Sequence, residues 1–217
     1  MLYILTMLDF RMMLDKRELR KEKVREAIKQ AALKIAENEG WQKVTIRKIA
    51  DEVLYTPPIV YEFFKNKDDL YRHLVKDGFE LLNQAIFSKV DKKETVEEKL
   101  FAIAEERFDF VTEYQTLHHM MFDAENPEWQ KREIIKSMKA VSELTEGLLA
   151  EISGNTAQAH EYFLNMVCLI KGYVYFHKQI SKMPVKMKRR LLKDRKNIKP
   201  MFLDAFKRFI NSIKNQE

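Results

Sequence analysis

Histidine, cysteine and serine, the side chains that most often do covalent or metal chemistry, are poorly arranged for it in this sequence. His118 and His119 are adjacent, so on a helix they point about 100° apart, and no two histidines stand four residues apart on one face. No metal site is expected. Cys168 lies between Val167 and Leu169 in an apolar run, which predicts an inert, buried thiol. One cysteine builds neither a disulfide framework nor a cysteine-rich zinc site. There is no GxSxG elbow, P-loop or HExxH pair, so neither an enzyme nor a cofactor is expected. What the residue types support is binding. From Thr45 to Phe64 run two short amphipathic segments joined by a tight turn, with a polar first turn on the second: the outline of a helix-turn-helix. An ordinary helical hairpin has the same outline.

The elements that must hold these residues are helices. Five glycines and five prolines in 217 residues leave too little turn chemistry for an all-β chain, and the expectation is all-α. Val24, Ile28, Ala31 and Ile35 recur on one face of a first helix that begins near Lys16 and stops at Gly40. Thr45 is an N-cap for a helix carrying Ile46, Ile49, Ala50 and Val53. After Leu54-Tyr55-Thr56, Pro57-Pro58 opens a third helix through Val60, Tyr61 and Phe64. Asn66 caps a fourth, with Asp68 and Asp69 in its first turn. The spacing of Ile49, Ala50, Val60 and Phe64 points them inward. Beyond these, periodicity predicts helices over 69–90, 95–114, 117–122, 127–152, 156–180 and 200–213. The basic stretch 186–197 reads as a solvated helix or loop. The first fifteen residues are apolar but interrupted by Thr6, Asp9 and Arg11. They make a poor signal peptide and are read as an extension with no assigned function.

A longer stretch is more specific. Ala31-Ala32-Leu33-Lys34-Ile35-Ala36-Glu37, Gly40-Trp41, Thr45-Ile46-Arg47-Lys48-Ile49-Ala50 and Ile59 to Leu70 (IVYEFFKNKDDL) closely resemble the TetR/AcrR family of bacterial transcriptional regulators, at the family's spacing. The resemblance implies a three-helix DNA-binding head, a helical ligand-binding and dimerisation body, and a homodimer. The corresponding layout is an extension over 1–15, a head over 16–66 and a body over 67–217. The family's turn glycine is replaced here by Leu54, and its small polar residues at the start of the recognition helix by Pro57-Pro58. Carried over residue by residue, Thr45 and Thr56 open the two helices of the motif, where hydroxyls and free N–H groups hold phosphates. Tyr61 matches the family's phosphate-contacting tyrosine, and Lys67 its lysine at the start of the fourth helix. Arg47, Lys48 and Lys65 add cations for the DNA backbone. Pro57, Pro58 and Ile59 face bases, where their lack of side-chain donors leaves thymine methyls as the feature to read.

For the body, the resemblance implies a small-molecule effector held among the helices. Phe108, Phe110, Tyr114, His118, Met120, Met121, Phe122, Trp129, Tyr162, Met166, Tyr173 and His177 suit a small, mostly apolar ligand of unknown identity. Leu169-Ile170-Lys171-Gly172-Tyr173-Val174 resembles a stretch in the penultimate helix of such regulators, where a mid-helix glycine indicates close helix approach. With the apolar face of Phe202, Ala205, Phe206, Phe209, Ile210 and Ile213, it points to a homodimer seam made by the last two long helices of each subunit. That last face covering its own core is the alternative. The expected function is a cytoplasmic homodimeric repressor, released from a palindromic double-stranded DNA operator by its ligand. The alternatives are a regulator answering to a protein partner or acting as an activator, and a hydrophobic-ligand carrier whose basic tail touches anionic membrane. Charge is uneven: 15 basic and 11 acidic residues from Lys16 to Gly78, 10 and 17 from Phe79 to His177, and 13 and 2 from Lys178 to Lys214. No run of 18 apolar residues occurs, so no membrane partner is expected through a spanning segment.

Overall fold

The computed structural model describes residues 2–122, 132–192 and 197–214; among them are ten α-helices and no strand. In chain order these are α1 (Leu2–Glu39), α2 (Ile46–Glu52), α3 (Pro57–Phe63), α4 (Lys67–Val90), α5 (Val96–Glu113), α6 (Gln115–Met121), α7 (Arg132–Ser153), α8 (Ala159–Ser181), α9 (Val185–Leu192) and α10 (Lys199–Lys214). They form two compact units, Met1–Val75 and Lys76–Glu217. No helix among the described residues is long and apolar enough to cross a membrane.

In the first unit, α1 begins at Leu2 and not near Lys16, because nothing in the preceding residues, neither proline nor glycine, stops a helix there. It ends where Gly40 takes φ 85°, a conformation that costs glycine little, and donates its N–H to the Ala36 carbonyl at 2.9 Å. One 3-10 turn, Trp41–Lys43, follows. The Thr45 hydroxyl oxygen accepts from the Lys48 N–H at 3.2 Å and caps α2. Of the inward set that the spacing predicts, Ile28, Ala31, Ile35, Ile49, Ala50, Val60 and Phe64 are buried, and Val24 near the start of the stripe is half-buried. Asn66 Oδ1 accepts from the Asp69 N–H at 2.8 Å to start α4. Leu70, Tyr71 and Leu74 of α4 are buried in this unit, with Tyr71 edge-on to Trp41 at 5.0 Å. The division therefore falls at 75/76 instead of the expected 66/67.

In the second unit, Thr95 and Glu98 form a reciprocal capping box at the start of α5. α4 and α6 approach closely at Gly78, where an added Cβ would lie 2.7 Å from the Met121 sulfur and 3.1 Å from Leu117. Phe202 stacks on Phe108 at 5.0 Å, and Phe206 meets Phe101 at 5.1 Å. Phe202, Phe206, Ile210 and Ile213 are all 2% exposed or less, and burying each of these side chains is worth roughly 2 kcal/mol. Four residues of the apolar face of α10 are thus covered inside their own subunit, while Ala205 and Phe209 of the same helix stay half-buried. α8 buries Ala159, Tyr162, Met166, Ile170 and Ile180. Cys168 falls about 200° around the helix from Met166 and is exposed, so the expectation of a buried thiol is also corrected: its neighbours in sequence are not its neighbours on the face. Gly172 has nothing within 4 Å of an added Cβ, so no close approach within the subunit explains it. The basic stretch contains the short helix α9, which leaves Val185, Met187 and Leu191 exposed.

Candidate nucleic-acid interface and ligand cavity

In the head, α2 and α3 are joined through a turn in which Leu54 adopts φ 58° with 91% of its surface exposed. This is the left-handed position where a glycine would be at ease. The Tyr55 N–H closes the turn on the Ala50 carbonyl at 2.9 Å. Thr45, Arg47, Thr56, Pro58, Tyr61 and Lys65 are exposed; Lys48, Pro57, Ile59 and Lys67 are half-buried.

The expected phosphate contacts differ in what is left to give. Thr56 precedes two prolines without N–H groups, and the Ile59 N–H is spent on the Thr56 carbonyl at 3.0 Å. The start of α3 therefore offers a hydroxyl but not the free backbone donors expected there. Lys48 Nζ pairs with Glu39 at 2.6 Å. Lys67 Nζ donates to the Trp41 carbonyl at 2.7 Å and to the Gln42 carbonyl at 3.4 Å, and lies 5.2 Å from the Trp41 ring centre. Burial holds its pKa below the ordinary lysine value, with Asp68 opposing. Among the described residues, no ion pair engages Arg47 or Lys65, although the Lys65 backbone N–H bonds Asp69 at 3.0 Å. Arg47 and Lys65 are the cations of the motif with their charge to spare.

In the second unit, α4, α5, α6, α7 and α8 surround a cavity of about 690 Å³, within the usual range for a drug-sized ligand. Its wall is largely apolar: Phe79, Leu82, Phe110, Val111, Phe122, Ile135, Met138, Phe163, Val167 and Val174. His118, Phe122 and Phe110 line it as expected. Trp129 lies outside the described residues. The remaining candidates do not line it. Phe108, Met121, Tyr162 and Met166 are 6% exposed or less, and Tyr114 packs on Phe110 outside the cavity. Tyr173 packs on Phe202, and His177 on Phe108. On α8, residues 162, 166, 173 and 177 turn toward the aromatic core, while Phe163, Val167, Ile170, Lys171 and Val174 turn toward the cavity. Selecting by residue type missed that division of faces.

It also missed the cations. Arg107, Lys139 and Lys171 line the cavity beside His118 and His119, and among the described residues no carboxylate does. Arg107 Nε is cut off from solvent and has no hydrogen-bond partner among the described residues, and burial pulls its pKa down to about 10. Burial also pulls His118 down to about 4, with Lys171, Arg107 and His119 pushing the same way, so its imidazole is neutral at pH 7. Lys171 Nζ stands 5.7 Å from the Phe122 ring centre. The carboxylates nearest Arg107 in sequence are engaged elsewhere: Glu106 with Lys89, and Glu105 and Asp109 with Lys199 at 2.8 and 2.7 Å. The sequence signal was Arg107 itself, a charge set between Ile103 and Phe110 in the buried stripe of α5.

Residues 28–74 match the family model described as bacterial regulatory proteins, tetR family. No curated protein matches the chain. Among solved structures the fold is similar to a putative transcriptional regulator from Pseudomonas aeruginosa PAO1 (TM-score 0.69, 15% identity, 90% of this chain and 92% of that one). It is similar also to FadR from Bacillus subtilis in complex with stearoyl-CoA (TM-score 0.62, 17% identity, 88% and 98%). A third is AibR in complex with isovaleryl coenzyme A and operator DNA (TM-score 0.63, 15% identity, 84% and 95%). At these identities the likeness is one of fold.

Proposed function

We propose, from the match of residues 28–74 to the tetR-family model, that this chain is a DNA-binding transcriptional regulator of the TetR family and not an enzyme: a cytoplasmic homodimeric repressor released from a palindromic operator by a small, mostly apolar ligand. The observation that carries this reading is the pairing of a head bearing uncommitted cations with a body containing a cavity of about 690 Å³. A regulator answering only to a partner protein has no need of such a cavity. Arg47 and Lys65 hold phosphates, with the hydroxyls of Thr45, Thr56 and Tyr61 adding hydrogen bonds. Pro57, Pro58 and Ile59 lie over bases and read thymine methyls, with Leu54 beside them on the exposed turn.

Dimerisation is assigned to α8 together with the part of α10 that its own core leaves uncovered, Ala205 and Phe209. Cys168, Gly172 and Phe176 form one exposed strip at four-residue spacing, and its bare glycine suits the close approach of a second α8. Ligand entering the body favours a state in which the two heads no longer fit successive grooves. Two structures of this fold, recorded with stearoyl-CoA and with isovaleryl coenzyme A, support a small-molecule effector. The test is selection of binding sites from random duplex DNA by the purified chain. The expected product is an inverted repeat bound by two copies, with half-sites about one helical turn apart. Enrichment of a single half-site bound by one copy, or no enrichment, overturns the proposal.

A further inference from the structure

We infer that the ligand of the body cavity carries an anionic head group, a carboxylate or a phosphate ester, seated against Arg107, with an apolar body along the aromatic wall. The inference rests on the reading of this cavity as the effector site and specifies its chemistry. Three observations meet here. Among the described residues, the cavity is lined by Arg107, Lys139 and Lys171 and by no acidic side chain. The buried Nε of Arg107 has no hydrogen-bond partner among the described residues, and a buried donor on a cation is costly unless something answers it. The acids flanking Arg107 on α5 are held by Lys89 and Lys199, so none is held in reserve for it.

A wholly apolar effector would bury this guanidinium further and leave it unanswered. A cationic effector would add repulsion from three neighbouring positive side chains. An anion supplies acceptors to the guanidinium fork and charge to Lys171, while neutral His118 can still donate or accept one hydrogen bond. Phe110, Phe122, Phe163 and Met138 then take the rest of the molecule.

The test is calorimetric titration of the full chain with decanoate, decyl phosphate and decanol, which share one alkyl chain and differ in the head. The wild type should bind one or both anions at least about 10-fold more tightly than decanol, and the tighter anion identifies the head. In Arg107→Met that preference should fall to within about 3-fold, with decanol affinity unchanged. Arg107→Lys keeps the charge without the fork and should retain part of the preference, which keeps the test informative should the methionine variant fold poorly. Equal binding of decanol and the anions, an anion preference unaltered in both variants, or no binding by any of the three overturns the inference. Operator affinity is read separately. If decanoate binds through Arg107 and the protein stays on DNA, ligand release is the reading that fails and the anion site stands.

Discussion

Lys67 in the head and Arg107 in the body are both cations drawn in from solvent, and the structure treats them in opposite ways. Lys67 is answered within its own unit, by two carbonyls of the turn that follows α1 and by the face of Trp41. Arg107 lines the cavity, and among the described residues nothing answers its buried Nε. A satisfied cation fixes local geometry; an unsatisfied one is a standing cost, kept where a ligand can relieve it. The contrast also reassigns Lys67. Matched by resemblance to a phosphate contact, it holds the start of α4 against the Trp41 turn in this structure, and the proposed reading gives the charge for DNA to Arg47 and Lys65.

One substitution made at both sites separates them by sign. Lys67→Met removes the donor from the Trp41 carbonyl and should destabilise the chain by about 2 kcal/mol in urea unfolding. Arg107→Met removes an unanswered charge and should leave stability unchanged or raise it by up to about 1 kcal/mol. Equal losses at both positions would erase the distinction. A smaller effect concerns Leu54. Its left-handed conformation costs about 1 kcal/mol or slightly more, and glycine entropy returns about half of that, so Leu54→Gly should stabilise by about 0.5 kcal/mol. Should operator affinity fall in that variant, the exposed leucine touches DNA; should stability fall, the turn is held by contacts that its exposure does not reveal.

Much of the helical plan was readable from periodicity and caps. Thr45, Asn66 and the Thr95–Glu98 box start helices where the sequence places them, and the inward set of the head is buried as spaced. The resemblance supplied the motif's role, and its departure at Leu54 correctly marked a left-handed residue. The cavity was harder to read. Aromatic and methionine residues serve both a core and a binding wall, and only the packing of α8 and α10 shows that Tyr162, Met166, Tyr173 and His177 serve the core. Cys168 was misread because apolar neighbours in sequence sit on different helix faces. Arg107 was overlooked because an arginine is ordinarily a solvated residue. The informative feature was its position inside an apolar stripe.

The central claim, that a dimer grips DNA through Arg47 and Lys65 of each head, is tested most directly by the salt dependence of operator affinity. Four neutralised phosphates at roughly 0.9 each give a slope of log affinity against log salt close to −4. That slope should fall in magnitude by about two in Arg47→Ala, because each dimer loses two contacts. A slope near −4 that halves on this substitution is the predicted result. A wild-type slope weaker than about −2, or one that Arg47→Ala leaves untouched, contradicts the account.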